Sequence, residues 1–484
     1  MDTAKKTYGI GVLSLAIMIF FRYLPAPDPI TPTGMTVLGI FLGCIIGWCA
    51  GHLIWTSLLG LVVFGFTGLN TGTGIWQFIM SQPALVNGFW LMVACGILVN
   101  TGLADYIANW SVTRKFTEGR PWLFISILYW GVIIVSAIIG SLGTVLIFWA
   151  IVCAIAQKLG WKKGDKAPAW MVFSVVIFAI TGCFLFPYQM VVITNFGFLA
   201  AGSGGAFDGT FSYGAYLIFA IINQILIFAV FIIASKWILR INLDRLAEYK
   251  VDSAKKITLN KKQKIGLVLF ILMFVLLMAP SFVPQGTALF AIISKLDTTA
   301  TCFLVTMLAC LIFSEGKPLT TFRELVYKNV SWEVLIMFGT ALLLANVINS
   351  EDSGVIEFIN VHIGPILGNM TPFMFVAALM LIAMILTNLI NNVVVSAIIM
   401  PMCWGLCTQF GINPLVIGAL FTAFVDYAVI LPSSSPIGAL LYGNSEWIKP
   451  KNIMIWGAVV FTLFYIVGIF VSYPAANAVF ALFE

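Results

Sequence analysis

Apolar residues run through this chain in blocks of about 20, the length that carries an α-helix across a ~30 Å hydrocarbon layer at ~1.5 Å per residue. The blocks fall near residues 8–24, 34–50, 55–69, 84–104, 122–157, 168–186, 214–235, 266–283, 298–313, 333–349, 372–409, 413–432 and 452–473. They predict an all-α polytopic membrane protein. Two blocks are anomalous. Trp122–Gln157 holds 36 residues without a charge, about 54 Å as one helix, and Met370–Gln409 is similar. Each is too long for one span and too short for two spans joined through water. Helix-weakening residues sit near the middle of both: Gly140-Ser141-Leu142-Gly143-Thr144 in the first and Thr387-Asn388-Leu389-Ile390-Asn391-Asn392 in the second. Non-helical backbone at membrane depth survives only where protein covers it or it lines a cavity. Paired interruptions in two halves point to a transporter's binding site.

Composition agrees and narrows the class. Of 484 residues, 61% are hydrophobic and 9% charged, with a mean hydropathy of +1.05; soluble domains average about 45–50% and about 25%. A soluble enzyme, a nucleic-acid binder and a disordered scaffold are excluded. The net charge of +6 sits in the gaps between blocks, so the large partner is a lipid bilayer. The two histidines, His52 and His362, form no H-E-x-x-H, and neither G-x-S-x-G nor a Walker A loop occurs. The chain therefore reads as a transporter, not an enzyme. It has no cofactor of its own, and its driving force comes from an ion gradient, an exchanged solute or a partner.

The halves share an order: aromatic-led segment, interruption, span, proline break. Asn87-Gly88-Phe89-Trp90 precedes Gly96 as Val330-Ser331-Trp332-Glu333 precedes Gly339. From Ser141 to Pro187 is 46 residues, and from Asn392 to Pro436 it is 44. Lys236–Lys264 holds nine Lys/Arg against three acids and separates the halves, so the positive-inside rule makes it cytoplasmic. Arg114, Lys115 and Arg120 follow the first aromatic-led segment, whereas Glu351, Asp352 and Glu357 follow the second. Opposite charge at equivalent places predicts an inverted-topology repeat. The loop 25–33 is then external and the N-terminus cytoplasmic, in a multi-pass protein of the cell membrane.

Candidate chemistry follows the breaks. Hydroxyls, amides and unwound carbonyls can replace a cation's hydration shell, and half-helix N-termini favour an anion. Ordinary interhelical hydrogen bonding, worth roughly 0.6–2 kcal/mol each, would account for any one such residue, but less well for the same interruption occurring twice at a similar distance from a proline break. Ser141, Thr144, Asn391, Asn392 and, in the proline breaks, Gln189, Ser435 and Pro436 are the substrate candidates. Asp426 lies six residues before Pro432 in an apolar run, where inserting a charge costs about 2.5–3.5 kcal/mol. It faces a wet cavity, a cation or a proton, or else is a neutral acid bonded to a neighbouring helix. Gly39, Gly43, Gly47 and Gly51 make one smooth helix face for close packing.

The stretch Asp426-Tyr427-Ala428-Val429-Ile430-Leu431-Pro432-Ser433-Ser434-Ser435-Pro436-Ile437-Gly438-Ala439 resembles a late signature of the divalent-anion/sodium symporter family. Trp332–Gly339 resembles a stretch of that family's second re-entrant hairpin, and Thr387–Pro401 its second S-N-T region. The resemblance implies two re-entrant hairpins and two interrupted transmembrane helices in an inverted-repeat homodimer that moves as an elevator. It implies N-terminal scaffold helices over 1–70, a first repeat over 71–235, a basic linker over 236–265, further scaffold helices over 266–320 and a second repeat over 321–484. By position, Ser136, Gly140, Ser141, Thr387, Asn392 and Ser434 fall at the family's sodium sites, and Asp426 offers a further cation ligand. Leu142 and Val393 stand where the family has threonines that contact substrate carboxylates, and Gly140 and Ser141 stand where Ser and Asn are usual. The expected function is Na⁺-coupled secondary transport of a small anionic solute. The alternative is an uncoupled uniporter or channel.

Overall fold

The computed structural model describes residues 2–50, 52–207, 210–250, 258–284, 287–293, 295–314, 316–362, 370–432 and 434–483. Gly51 and Ser433, singled out in the sequence, lie outside the described residues. The described chain is helical apart from one short ribbon of β1 (Phe313–Ser314) against β2 (Lys317–Pro318). Among the described residues, nine helices are long and apolar enough to cross a membrane, or ten if the bent pair at 322–348 is one span.

Three helices come first: α1 (Asp2–Phe20), α2 (Pro32–Cys49) and α3 (Leu53–Gly65). The small-residue face of α2 serves this chain's own packing. A Cβ on Gly39 or Gly43 would come within 2.6 Å of Phe21 or 2.5 Å of Met18, and one on Gly47 within 2.2 Å of Thr56. Next come α4 (Gly72–Ser81), α5 (Pro83–Thr101), α6 (Leu103–Val112), α7 (Pro121–Ile139), α8 (Ser141–Lys158), α9 (Lys166–Gly182), α10 (Met190–Ala201) and α11 (Tyr213–Ile233). After the linker run α12 (Lys261–Phe282), α13 (Ala288–Ile293) and α14 (Thr298–Leu311). The earlier order then recurs in α15 (Phe322–Asn329), α16 (Trp332–Ile348), α17 (Val355–His362), α18 (Pro372–Leu389), α19 (Asn392–Gln409), α20 (Pro414–Val425), α21 (Pro436–Gly443) and α22 (Pro450–Val467), before α23 (Tyr473–Ala481). Proline in the first turn opens α5, α7, α18, α20, α21 and α22, where its missing N–H is not needed.

The two anomalous blocks are helical hairpins. In the first, α7 turns into α8 at Gly140, whose φ of 84° and ψ of 169° belong to a region open essentially to glycine alone. A Cβ on Gly131 of α7 would touch Phe148 of α8 at 3.5 Å. At the far ends of the limbs, Phe124 and Lys158 both sit on Tyr249, at 5.4 and 5.0 Å. In the second hairpin α18 turns at Ile390 and Asn391 into α19, and Phe375 stacks on Phe410 at 4.5 Å across the open end.

The interrupted helices are therefore the proline breaks, α9–α10 across 183–189 and α20–α21 across 426–435. The Trp332 stretch, expected in the second hairpin, is instead α16. It meets α15 at a 71° bend and continues unbroken to Ile348. It contains no turn residue that could fold it back, and Gly339 is spent on close approach to Ile79 and Leu85.

The halves of the interrupted helices are exchanged between hairpins. α10 packs on α19 of the second hairpin, and α21 packs on α8 and α9. At the end of α10, a Cβ on Gly202 would lie 1.8 Å from the Pro401 carbonyl oxygen. Beyond α21, Glu446 pairs with Lys163 at the base of the first hairpin.

Candidate functional site

Backbone that leaves helical geometry at membrane depth must find hydrogen-bond partners within the protein. At the second break they come from side chains. The buried Asn388 donates from Nδ2 to the carbonyls of Met384 and Tyr427, both at 2.9 Å, and accepts from the Val429 and Ile430 amides at 3.2 and 3.0 Å. Ser435 Oγ donates to the Ala428 carbonyl at 2.7 Å, and Tyr442 OH donates to that of Ile430. At the first break Tyr216 OH donates to the Phe184 carbonyl at 2.9 Å, and Gln189 Nε2 donates to the Ala137 carbonyl in the hairpin limb. Each break is thus tied to the tip of the hairpin in its own half.

A cavity of about 270 Å³ opens where tips and breaks converge. That is room for roughly nine waters at about 30 Å³ each, the scale of a small organic solute. Its walls include the starts of four helices: Gly140 and Ser141 at α8, Gln189 and Met190 at α10, Asn392 and Val393 at α19, and Ser435 and Ile437 at α21. A helix start carries about half a positive charge and unsatisfied amides. The four are not alike. Neither α8 nor α10 has a side-chain cap. At α19, Asn391 Oδ1 and Asn392 Oδ1 accept from the Val393 amide at 2.9 and 3.0 Å, and at α21 Ser435 Oγ accepts from the Gly438 amide at 2.9 Å. Asp426, at the C-terminal end of α20, also lines the cavity, and its Oδ1 accepts from Asn392 Nδ2. Among the described residues, the lining contains no Lys, Arg or His. A larger cavity of about 360 Å³ between α5, α10 and α16 includes Pro187 but neither hairpin tip.

The predicted residues divide into two groups. Gly140, Ser141, Gln189, Asn392, Asp426 and Ser435 line the cavity. Six others stand behind it. The buried Ser136 donates to the Ala179 carbonyl and lies 3.2 Å from Cys183 Sγ. Thr144 donates back to the Gly140 carbonyl at 2.7 Å, and Ser434 donates to that of Leu431 at 2.6 Å. Asn391 caps α19, and Pro436 opens α21. Thr387 is buried, and its Oγ1 has no hydrogen-bond partner among the described residues. Cys183, Thr194, Asn195 and Ser396 line the cavity without having been singled out. For Ser396 the signal was its place one helical turn after Asn392, bonded to that residue's carbonyl at 3.0 Å.

Comparison with known proteins completes the picture. An uncharacterised transporter of Methanocaldococcus jannaschii is 34% identical over 26% of this chain and 28% of its own length. The sodium-dependent dicarboxylate transporter SdcS of Staphylococcus saprophyticus is 26% identical over 31% of this chain and 30% of its own. The matched segments thus span about a third of these relatives or less. The solved structure of MtrF from Neisseria gonorrhoeae, an antimetabolite efflux pump, shares the fold with a TM-score of 0.60 over 97% of both chains at 13% identity. Residues 41–423, which hold both hairpins, the first break and nearly all of α20, match the citrate transporter family, and the chain belongs to it, among the divalent-anion/sodium symporters.

Proposed function

We propose that the chain is a secondary active transporter that binds a small solute through a carboxylate, couples to Na⁺ and alternates access by an elevator movement. The observation that carries the reading is the meeting of four helix starts in one cavity between two hairpin tips. Such a site draws a carboxylate without a basic side chain. The unpartnered hydroxyl of Thr387 supports a cation behind the second tip, because an orphaned buried oxygen costs about 1–3 kcal/mol unless a ligand meets it. SdcS, a relative, is sodium-dependent by name.

An inverted relation of the repeats is supported by the exchange of half-helices. Each broken helix starts near the open end of its own hairpin and ends against the other one, as Gly202 on Pro401 and Glu446 on Lys163 exemplify. The basic linker at the first hairpin's open end supports a cytoplasmic side there. The loop 25–33 packs by Thr31 against the acidic 351–353 turn, which fits an external position and a cytoplasmic N-terminus. The assembly we infer is a homodimer.

Purified protein in proteoliposomes should accumulate a labelled small carboxylate under an inward Na⁺ gradient. Accumulation should collapse when the gradient is dissipated. A second reading, a uniporter that has lost the first cation site, is favoured by the hydroxyls of Ser136 and Ser434, which are already spent on carbonyls. It predicts equilibration without accumulation.

A further inference from the structure

We propose that the cavity is built for an aminocarboxylate, whose carboxylate lies at the bare helix starts beside Ser141 and whose ammonium group is met by Asp426. The inference rests on the transport reading above and names the class of cargo.

Its basis is the asymmetry of the walls. On the side formed by the first half, α8 and α10 begin without side-chain caps; the Ser141 end of α8 faces the Cys183 sulfur and the Val192 amide bonds the Gln189 carbonyl, which leaves both positive helix ends open to an anionic group. On the side formed by the second half, the first amides of α19 and α21 are already engaged by Asn391, Asn392 and Ser435. There the cavity meets the negative, C-terminal end of α20 and the carboxyl group of Asp426. Asp426 is only 9% exposed. Its Oδ1 accepts from Asn392, while Oδ2 accepts no hydrogen bond among the described residues. Asp426 lines a cavity that holds no basic side chain among the described residues, so its ionised form there is balanced only by a cation from outside.

A dicarboxylate would set its second carboxylate against Asp426, like charge on like charge. An aminocarboxylate of the same length replaces that repulsion with an ion pair, and its two ends match the two poles. Leu142 and Val393 stand at the two tips where the resemblance implies threonines, and they offer no hydroxyl to a second carboxylate.

The test compares solutes that differ at one end only. Binding of 4-aminobutanoate, glutarate and pentanoate to the purified full chain in detergent is measured by calorimetry and thermal shift, with Na⁺ and with K⁺. The expected result is that 4-aminobutanoate binds at least about tenfold more tightly than either other solute. In Asp426→Asn the preference over glutarate should vanish. The wild-type comparison stands even if that variant does not fold. Three results would overturn the inference: glutarate binding as tightly as 4-aminobutanoate, no binding of 4-aminobutanoate at millimolar concentration, or a preference that survives Asp426→Asn. Glutarate binding that needs Na⁺ and is lost in Asp426→Asn would assign Asp426 to an inorganic cation instead, and equally overturns it. Because binding is read without a membrane, binding without accumulation in proteoliposomes sinks the transport reading and leaves the cargo class standing.

Discussion

Asn388 makes four hydrogen bonds, three of them to the second break, and no part of the cavity lining is its own. Asn388→Ala strands the Val429 and Ile430 amides in a buried place, at about 1–3 kcal/mol each. Thermal unfolding in detergent should therefore occur at a lower temperature, and cargo affinity should fall because Ser435 and Asp426 ride on the loop that Asn388 holds. Thr387 separates two roles cleanly. Its hydroxyl has no partner among the described residues, so the near-isosteric Thr387→Val should leave apo stability unchanged or slightly raised. If the hydroxyl is a sodium ligand, the Na⁺ concentration for half-maximal uptake should rise about tenfold or more, while an unchanged sodium curve would remove Thr387 from the cation site. The sequence marked Thr387, Asn388, Asn391 and Asn392 as one polar cluster. It could not divide them into clamp, cap, cavity wall and orphan, because that division depends on the α20–α21 loop, 34 or more residues further along.

The hairpin turn is the element on which the first half of the site depends. At Gly140 an added Cβ meets no atom within 4 Å, so Gly140→Ala tests backbone conformation alone, with an expected cost of about 1–3 kcal/mol. It should shift the Ser141 end of α8 and weaken cargo binding several-fold in titration calorimetry. Gly204→Ala is the control: its φ of +60° also favours glycine and its Cβ is unobstructed, but it lies away from the tips, so stability should drop without loss of binding. Block length alone showed that 122–157 and 370–409 were neither single spans nor pairs. That they reverse direction, and that the proline breaks are the interrupted helices, required contacts such as Phe375 on Phe410 and Phe124 beside Tyr249.

At the scale of the molecule, the proposed elevator divides contacts into those that slide and those that travel together. α5 faces α10 where a Cβ on Gly88 would lie 3.7 Å from Ile193, and the elevator reading makes this a sliding surface. In a chain stripped of its own cysteines, cross-linking Gly88→Cys to Ile193→Cys with mercury should arrest uptake and leave cargo binding intact. The same reading places Lys163 and Glu446 together in the moving body, so cross-linking Lys163→Cys to Glu446→Cys should leave uptake nearly normal. Arrest by the second pair, with freedom in the first, would refute the assignment of moving and fixed parts.

What the chain's own order of residues determined was its solvent and its grammar. Blocks of about 20 apolar residues leave no alternative to helices in a bilayer, and Gly140, Asn391, Pro187 and Pro436 mark where those helices must yield. These are local properties, set by length, charge and the conformations a residue tolerates. The tertiary structure decided which helix starts meet, which of them stay uncapped and that Asp426 lines the cavity between them. Those features arise only when half-helices from one half of the chain pack on the hairpin of the other, and no neighbour-by-neighbour reading of the chain carries that information.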